Sequence, residues 1–169
     1  MSEKVWPLLR FKADNDDELK EMYKKVYIDE YVNQEIYDFN GKRVIFPYSQ
    51  FEHAFSESSN YKTSNGYHDI PFSKKRARYL LWIKKVIMKD TGNIDYKLEY
   101  RSEMKTKKGK KVTVRIYAVI DERYIVVLDQ KENKLYFVTG IPHDKNSYKR
   151  MVERSALLKQ EKVPSSLGD

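Results

Sequence analysis

An alternation of apolar and polar residues over the second half of the chain is the feature that most constrains its fold. The alternating runs are I-D-Y-K-L-E-Y (94–100), V-T-V-R-I-Y-A-V-I (112–120), Y-I-V-V-L-D (124–129) and K-L-Y-F-V-T (134–139). Because successive side chains of a strand point to opposite faces, each run predicts a strand. The connections between the runs are short and rich in turn-forming residues. The pattern therefore predicts an antiparallel meander of four strands.

Helical patterns flank this meander. The segment 14–27 opens with acidic capping residues and continues with apolar residues at helical spacing. The segment F-S-K-K-R-A-R-Y-L-L-W-I-K-K-V-I (72–87) has Ser73 as a cap and is apolar over more than half of a helix circumference. A last basic helix is predicted within 147–158. The order of elements predicts an α+β fold, a four-stranded antiparallel sheet with helices packed on one face, and the other face would hold the functional site.

A hairpin and a short helix are predicted between the first two helices. Asn40-Gly41 separates two short β-rich runs and indicates a type I′ turn. Ser49, with Glu52 three residues later, fits a capping box, which would place His53 in the first turn of a helix. The dipole at a helix N-terminus favours a neutral imidazole, which suits a general base.

The chain divides into three parts on this interpretation. Residues 1–48 form an N-terminal helix and β-hairpin extension, residues 49–160 form the core, and residues 161–169 are predicted to be a disordered tail. Within the core, the segment 56–69 lacks periodicity and is rich in turn formers, so it is predicted to be a loop.

Several function classes have no support in the sequence. There is no cysteine, and the three histidines (His53, His68 and His143) do not have metal-ligand spacing, so we expect no metal. Phosphate-binding glycine loops and the G-x-S-x-G elbow are absent, so we expect no cofactor. No stretch has the length of a signal peptide or a membrane span, which predicts a cytoplasmic protein without a membrane partner.

The charge and the tyrosine content point to nucleic acid. The chain has 33 Lys and Arg against 25 Asp and Glu, a formal charge of +8, which favours a polyanionic partner. Its 14 tyrosines offer ring faces for base stacking, although half-buried sheet positions explain most of them equally well.

Metal-free cleavage of RNA requires a base for the 2′-hydroxyl proton, donors for the phosphoryl oxygens and an acid for the departing oxygen. The sequence offers His53 as the base, Arg76 as a cation at a helix start, and Thr139 and Tyr148 as donors. Further RNA-binding candidates are Lys74, Lys75, Arg78, Arg101 and His143, the last of these also a reserve acid.

Each of these candidates has a structural alternative. His53 lies between Phe51 and Phe55 and could be a packing residue. Arg76 and Arg78 could be solvated or paired with carboxylates, and Thr139 could be an ordinary strand residue.

Four segments resemble the phage-associated branch of the barnase, EndoU, colicin-type and RelE-like (BECR) nuclease superfamily. They are F-E-H-A-F (51–55), K-K-R-A-R-Y-L-L-W-I-K-K-V-I (74–87), L-Y-F-V-T-G-I-P (135–142) and S-Y-K-R (147–150). The resemblance implies metal-independent RNA cleavage in a toxin or in phage–host conflict. It assigns the helix histidine, the helix-start arginine and the terminal-strand hydroxyl to His53, Arg76 and Thr139. The second histidine that this family often shows near the start of the long helix has no counterpart.

Two functions remain open from the sequence. The first is an RNA endonuclease of toxin or phage–host conflict type, cleaving by 2′-hydroxyl attack, with tRNA or mRNA as its target and an antitoxin or inhibitor protein as a partner. The second is a non-catalytic RNA-binding or protein-blocking module of phage or mobile-element origin. A third, an interaction protein with an acidic partner, has weaker support.

Overall fold

The computed structural model describes residues 5–57, 71–92 and 94–158. The helices are α1 (Asp16–Tyr27), which a π-helical turn (Ile28–Val32) extends, α2 (Gln50–Ala54), α3 (Lys74–Ala77), α4 (Trp82–Ile87) and α5 (Lys145–Arg154). The strands are β1 (Ile36–Tyr37), β2 (Arg43–Ile45), β3 (Leu98–Lys107), β4 (Lys110–Val119), β5 (Tyr124–Lys131), β6 (Lys134–Pro142) and β7 (Ala156–Leu157).

The sheet has seven strands in the order β1-β2-β6-β5-β4-β3-β7. Strands β3 to β6 form the predicted antiparallel meander. The predicted four-stranded antiparallel sheet is nevertheless wrong. The β1–β2 hairpin joins the sheet because β2 pairs in parallel with β6, and β7 pairs with the free edge of β3. Only the general α+β class agrees with the prediction.

Helices cover both faces of the sheet, so the prediction of helices on one face is also wrong. Tyr117 and Val126 point to the same core as α1, α3 and α4, which we call the front face. Their neighbours Ile116 and Ile125 point to the opposite, back face, where Met151 of α5 packs on them. Successive side chains of β4 and β5 therefore pack into two separate cores, one on each face of the sheet.

The front core is built largely from aromatic rings. Tyr27 of α1 lies 6.1 Å from Phe137 of β6, and Tyr79 stacks on Tyr124 at 4.9 Å, measured between ring centroids. Strand β6 approaches this layer closely at Gly140, where an added Cβ would lie 2.2 Å from the Tyr124 hydroxyl. A side chain at this position would therefore push β6 away from the helices.

The predicted long helix over 74–87 is two short helices. Ser73 caps α3 as expected, its hydroxyl accepting a bond from the Arg76 N–H at 3.1 Å. The next N–H groups, of Tyr79 and Leu80, bond to the carbonyls three residues earlier, so the chain tightens before α4 begins. The turn lets the Trp82 indole donate to the Pro7 carbonyl at 3.1 Å.

The hairpin around Asn40-Gly41 is present, but its connection is not a type I′ turn. Tyr37 pairs with Arg43, which leaves a five-residue loop in which Gly41 has a φ of 82°. The Asp38 carboxylate organises this loop by accepting bonds from the N–H groups of Asn40 and Lys42, both at 2.9 Å. Its other oxygen accepts from the Tyr117 hydroxyl at 2.7 Å, which ties the hairpin to β4.

Some predictions lie outside the described residues, namely His68, most of the loop predicted over 56–69, and the tail predicted over 161–169. None of the helices in the described ranges combines the length and apolar character that a bilayer crossing requires.

Candidate functional site

Helix α2 borders the C-terminal half of strand β6. Strand β2 pairs with β6 only at Leu135 and Tyr136, so the rest of that edge is free to take another partner. The Gln50 amide donates to the Val138 carbonyl at 2.8 Å, and the Thr139 hydroxyl donates to the Ala54 carbonyl at 3.1 Å. These two bonds attach α2 to the strand beside its bulge.

His53 points away from the front core. Phe51 and Phe55 of the same segment are buried, whereas His53 is exposed. At 100° per residue, His53 lies about 200° around the helix from Phe51, so it points away from the front core into solvent. Thr139 pairs with Val127, a back-face residue, so its side chain lies at the back-face side of β6. The Thr139 hydroxyl bonds to the carbonyl of Ala54, the residue that follows His53.

The predicted capping box at the start of α2 does not form. Ser49 makes no capping bond, and Glu52 instead pairs with Lys20 and Lys24 of α1. His53 is the penultimate residue of a five-residue helix. The argument that a helix N-terminus keeps this imidazole neutral therefore does not apply.

His143 lies at the end of β6 and is half-buried. Its N–H bonds to the Arg123 carbonyl at 2.7 Å, and its ring Nδ1 lies 3.2 Å from the Ile141 carbonyl. Since a carbonyl only accepts, Nδ1 carries the proton in this contact and Nε2 is left as an acceptor in the neutral ring. Burial lowers the pKa of His143, and the positive charges of Arg154 and Arg76 lower it further, while the Ile141 carbonyl opposes these effects.

Arg76 brings a positive charge to the same end of β6. It lies on α3 and is half-buried, and its charge acts on His143. Burial lowers the pKa of the guanidinium, and the carboxylate of Glu57 opposes this effect. An arginine stays protonated under such conditions, so Arg76 is a permanent cation here.

Tyr148 and Arg101 do not join this group. The Tyr148 hydroxyl contacts Glu99 of β3 at 3.4 Å, three strands from β6, which is about 14 Å at ordinary strand spacing. Arg101 is buried and donates to Ser155 Oγ at 2.8 Å and to Glu99 at 3.2 Å. Both side chains hold α5 against the back face.

The other basic candidates lie on the front side with α3. The Lys74 ammonium pairs with Asp16 of α1 at 3.5 Å. Lys75 is exposed, and Arg78 is half-buried and accepts a backbone bond from Leu9 through its carbonyl. The structure therefore groups His53, Thr139, His143 and Arg76 around the C-terminal half of β6; we call these four residues the β6 cluster.

A second basic feature, the lysine groove, lies at the opposite end of the sheet. The groove has a volume of about 690 Å³, and its lysines are Lys107, Lys108, Lys110, Lys111 and Lys131. One carboxylate, Asp129, also lines it and is held by the Lys107 ammonium at 2.8 Å. The sequence indicated the lysine-rich hairpin tip, but Lys131 joins it only through the pairing of β4 with β5.

Tyr136 lies between the lysine groove and the β6 cluster. Its pairing with Asp129 places it on the back face, and it is half-buried, with the Lys131 ammonium 5.3 Å from its ring centroid. The sequence analysis missed Tyr136, although the alternation of β6 separates it from the front-facing Leu135 and Phe137 and was the available signal.

The β6 cluster has the groups that acid–base chemistry at a phosphodiester requires, namely two imidazoles, a cation and a hydroxyl. Within the described part of the chain, no group of three or more His, Asp or Glu residues could hold a metal ion. A scan against protein-family models and searches of curated proteins and of solved structures find no match for this chain. The case for a function therefore depends on this geometry and on the charge around it.

Proposed function

We propose that the protein is an RNA endonuclease that needs no metal ion and cleaves by attack of the 2′-hydroxyl on the adjacent phosphorus. The observation that carries the proposal is the grouping of His53, Thr139, His143 and Arg76 around one half of β6, although three separate segments supply them.

The two imidazoles divide the proton transfers between them. Because burial lowers the pKa of His143, its ring is neutral over a wider pH range than an ordinary histidine, which suits it to accept the 2′-hydroxyl proton. His53, exposed on the helix whose last residue accepts the Thr139 bond, then donates a proton to the departing 5′-oxygen. This assignment reverses the role that the sequence analysis gave to His53.

Arg76 acts on the phosphate, and Thr139 positions His53. The Arg76 guanidinium offers several donors to the negative charge that grows on the phosphoryl oxygens. The Thr139 hydroxyl already donates to Ala54 and so holds α2 and His53 in place next to the strand. The products are a 2′,3′-cyclic phosphate and a free 5′-hydroxyl, so the bond formed and the bond broken both lie at phosphorus.

The direct test is cleavage of single-stranded RNA in excess EDTA. We expect the purified protein to degrade the RNA, to leave 2′,3′-cyclic phosphate ends, and to leave an otherwise identical strand with 2′-deoxyribose intact. Product ends are identified by mass spectrometry. Cleavage of the deoxy strand, or a requirement for added metal, would refute the mechanism.

The pH profile tests the role of His143. A base works only when unprotonated, so the rising limb of kcat/KM with pH should have its midpoint below 6.5, the ordinary His pKa, because burial lowers the pKa of His143. The measurement is kcat/KM on one RNA between about pH 4.5 and pH 8, at constant ionic strength. A rise whose midpoint lies above 6.5 would contradict His143 as the base.

The alternative of a non-catalytic RNA-binding module is favoured by a different observation, the lysine groove. The groove has five lysines and one carboxylate, Asp129, which is already paired with Lys107. Such a surface can bind phosphates strongly without catalysing a reaction. Salt-dependent binding of RNA with no cleavage would support this module over the enzyme.

A further inference from the structure

We propose that the lysine groove binds the backbone of single-stranded RNA several nucleotides away from the bond that the β6 cluster cleaves. The inference rests on the proposed function and deepens it. The substrate is then a flexible RNA strand lying along the back face from the groove to the cluster, rather than a duplex or a short fragment.

The lysine groove carries more positive charge than its one carboxylate neutralises. Lys108, Lys110, Lys111 and Lys131 are exposed, while Lys107 is half-buried and engaged with Asp129. Four ammonium groups in one groove thus lack a carboxylate partner among the described ion pairs. Such a density of like charge destabilises the isolated protein and is relieved by a polyanion.

The groove and Thr139 of the β6 cluster lie on the same face of the sheet. Val114, which pairs with Asp129, is a back-face residue, and the alternation of the strands puts Lys107, Lys110, Lys131 and Tyr136 on that same face. From Lys134, the partner of Lys131, to Thr139 the strand rises about 16 Å. That span corresponds to about three to five nucleotides, depending on whether the strand is extended or stacked.

An aromatic side chain lies on the surface between the groove and the β6 cluster. Tyr136 offers a ring on this path, and aromatic side chains between basic residues are typical of sites for single-stranded nucleic acid, where unpaired bases stack on them. A duplex cannot expose its base faces to such a ring. The geometry therefore points to single-stranded RNA.

The binding test uses a fluorescent RNA of about twelve nucleotides whose 2′-O-methyl groups prevent cleavage. Anisotropy titrations are made at several KCl concentrations with the wild type, with Lys110→Gln/Lys131→Gln, and with a control of equal charge change on the front side, Lys12→Gln/Lys25→Gln. For the groove variant we expect binding about five- to tenfold weaker at about 100 mM salt. The slope of log K against log salt should fall by about 1.4, since each phosphate contact to a single strand contributes about 0.7.

The cleavage test compares a dinucleotide with an unmodified RNA of the longer length. The groove variant should have a raised KM for the long RNA, an unchanged kcat, and wild-type activity on the dinucleotide, which is too short to reach the groove. A groove variant that matches the front-side control in both assays would overturn the proposal. So would tighter binding of a duplex of equal length, or displacement of the RNA by polyglutamate at equal charge concentration.

These outcomes separate the two proposals. If the wild type cleaves neither RNA, but its binding of the long RNA depends on Lys110 and Lys131, then the endonuclease is refuted and the groove stands as a binding site for single-stranded RNA. If both RNAs are cleaved and the groove variant behaves as its control, then the groove is refuted and the endonuclease stands.

Discussion

Replacing His53 with alanine is expected to slow RNA cleavage by about 10²- to 10⁴-fold, the range in which a positioned general acid or base contributes to rate. The effect should appear in kcat. The affinity for uncleavable RNA should stay unchanged, because the lysine groove is untouched. The free energy of unfolding should change by no more than about 0.5 kcal/mol, since the side chain is exposed. Initial rates in EDTA and urea denaturation provide the measurements.

The neighbouring residue Glu52 supplies a matched control. It is exposed, one position away on α2, and pairs with Lys20 and Lys24 of α1 rather than facing β6. Glu52→Ala should therefore keep wild-type cleavage and lose less than about 1 kcal/mol of stability, as exposed ion pairs contribute little. Equal activity of His53→Ala and Glu52→Ala would remove His53 from the mechanism.

Replacing Asp38 with alanine is expected to lower the free energy of unfolding by about 3–4 kcal/mol. The carboxylate is buried and accepts three hydrogen bonds, from two backbone N–H groups of its own loop and from the Tyr117 hydroxyl of β4. Hydrogen bonds to a charged group contribute about 1.5–3 kcal/mol each, and they are not additive within one network. Urea denaturation followed by circular dichroism measures this change. The urea concentration at the midpoint should fall, while the dependence of the free energy on urea concentration should stay the same.

A double-mutant cycle isolates the bond to β4. Asp38→Ala, Tyr117→Phe and the double variant should show a coupling of at least about 1 kcal/mol, because the two side chains are in direct contact at 2.7 Å. Asp95→Ala, an exposed carboxylate next to β3, serves as the control and should be nearly neutral. A loss below about 1 kcal/mol for Asp38→Ala would show that the hairpin is not held by this carboxylate.

The long alternating runs allowed strands β3 to β6 to be predicted, since each covers enough residues for a period of two to be distinct. Strands β1, β2 and β7 have two or three residues and carry no period. Whether β2 pairs with β6 in parallel, and thereby makes the sheet mixed, depends on tertiary contacts such as the bond between Asp38 and Tyr117. The break between α3 and α4 likewise depends on the packing of Tyr79 and Trp82.

The sequence was sufficient to name the types of residue in the candidate site, but not to predict which of them lie near one another. The sequence identified His53, Arg76 and Thr139 as candidates, whereas the attachment of α2 by Gln50 and Thr139 depends on an edge of β6 that only the folded sheet leaves free. Tyr148 and Arg101 have suitable chemistry, but both are held at β3 by Glu99. The meeting of Lys107 with Lys131 depends on the register of three strands, which no local pattern specifies.

The parallel pairing of β2 with β6 has a consequence for how the molecule is made. The paired residues Val44 and Leu135 are separated by more than half of the polypeptide. Closing so long a loop has a high entropic cost, and topologies rich in distant contacts fold slowly. During translation, His53 leaves the ribosome long before Thr139 and His143 are synthesised. For the proposed endonuclease, this order means that the β6 cluster is incomplete, and the RNA of the translating ribosome is not cleaved by it, until residue 143 has emerged.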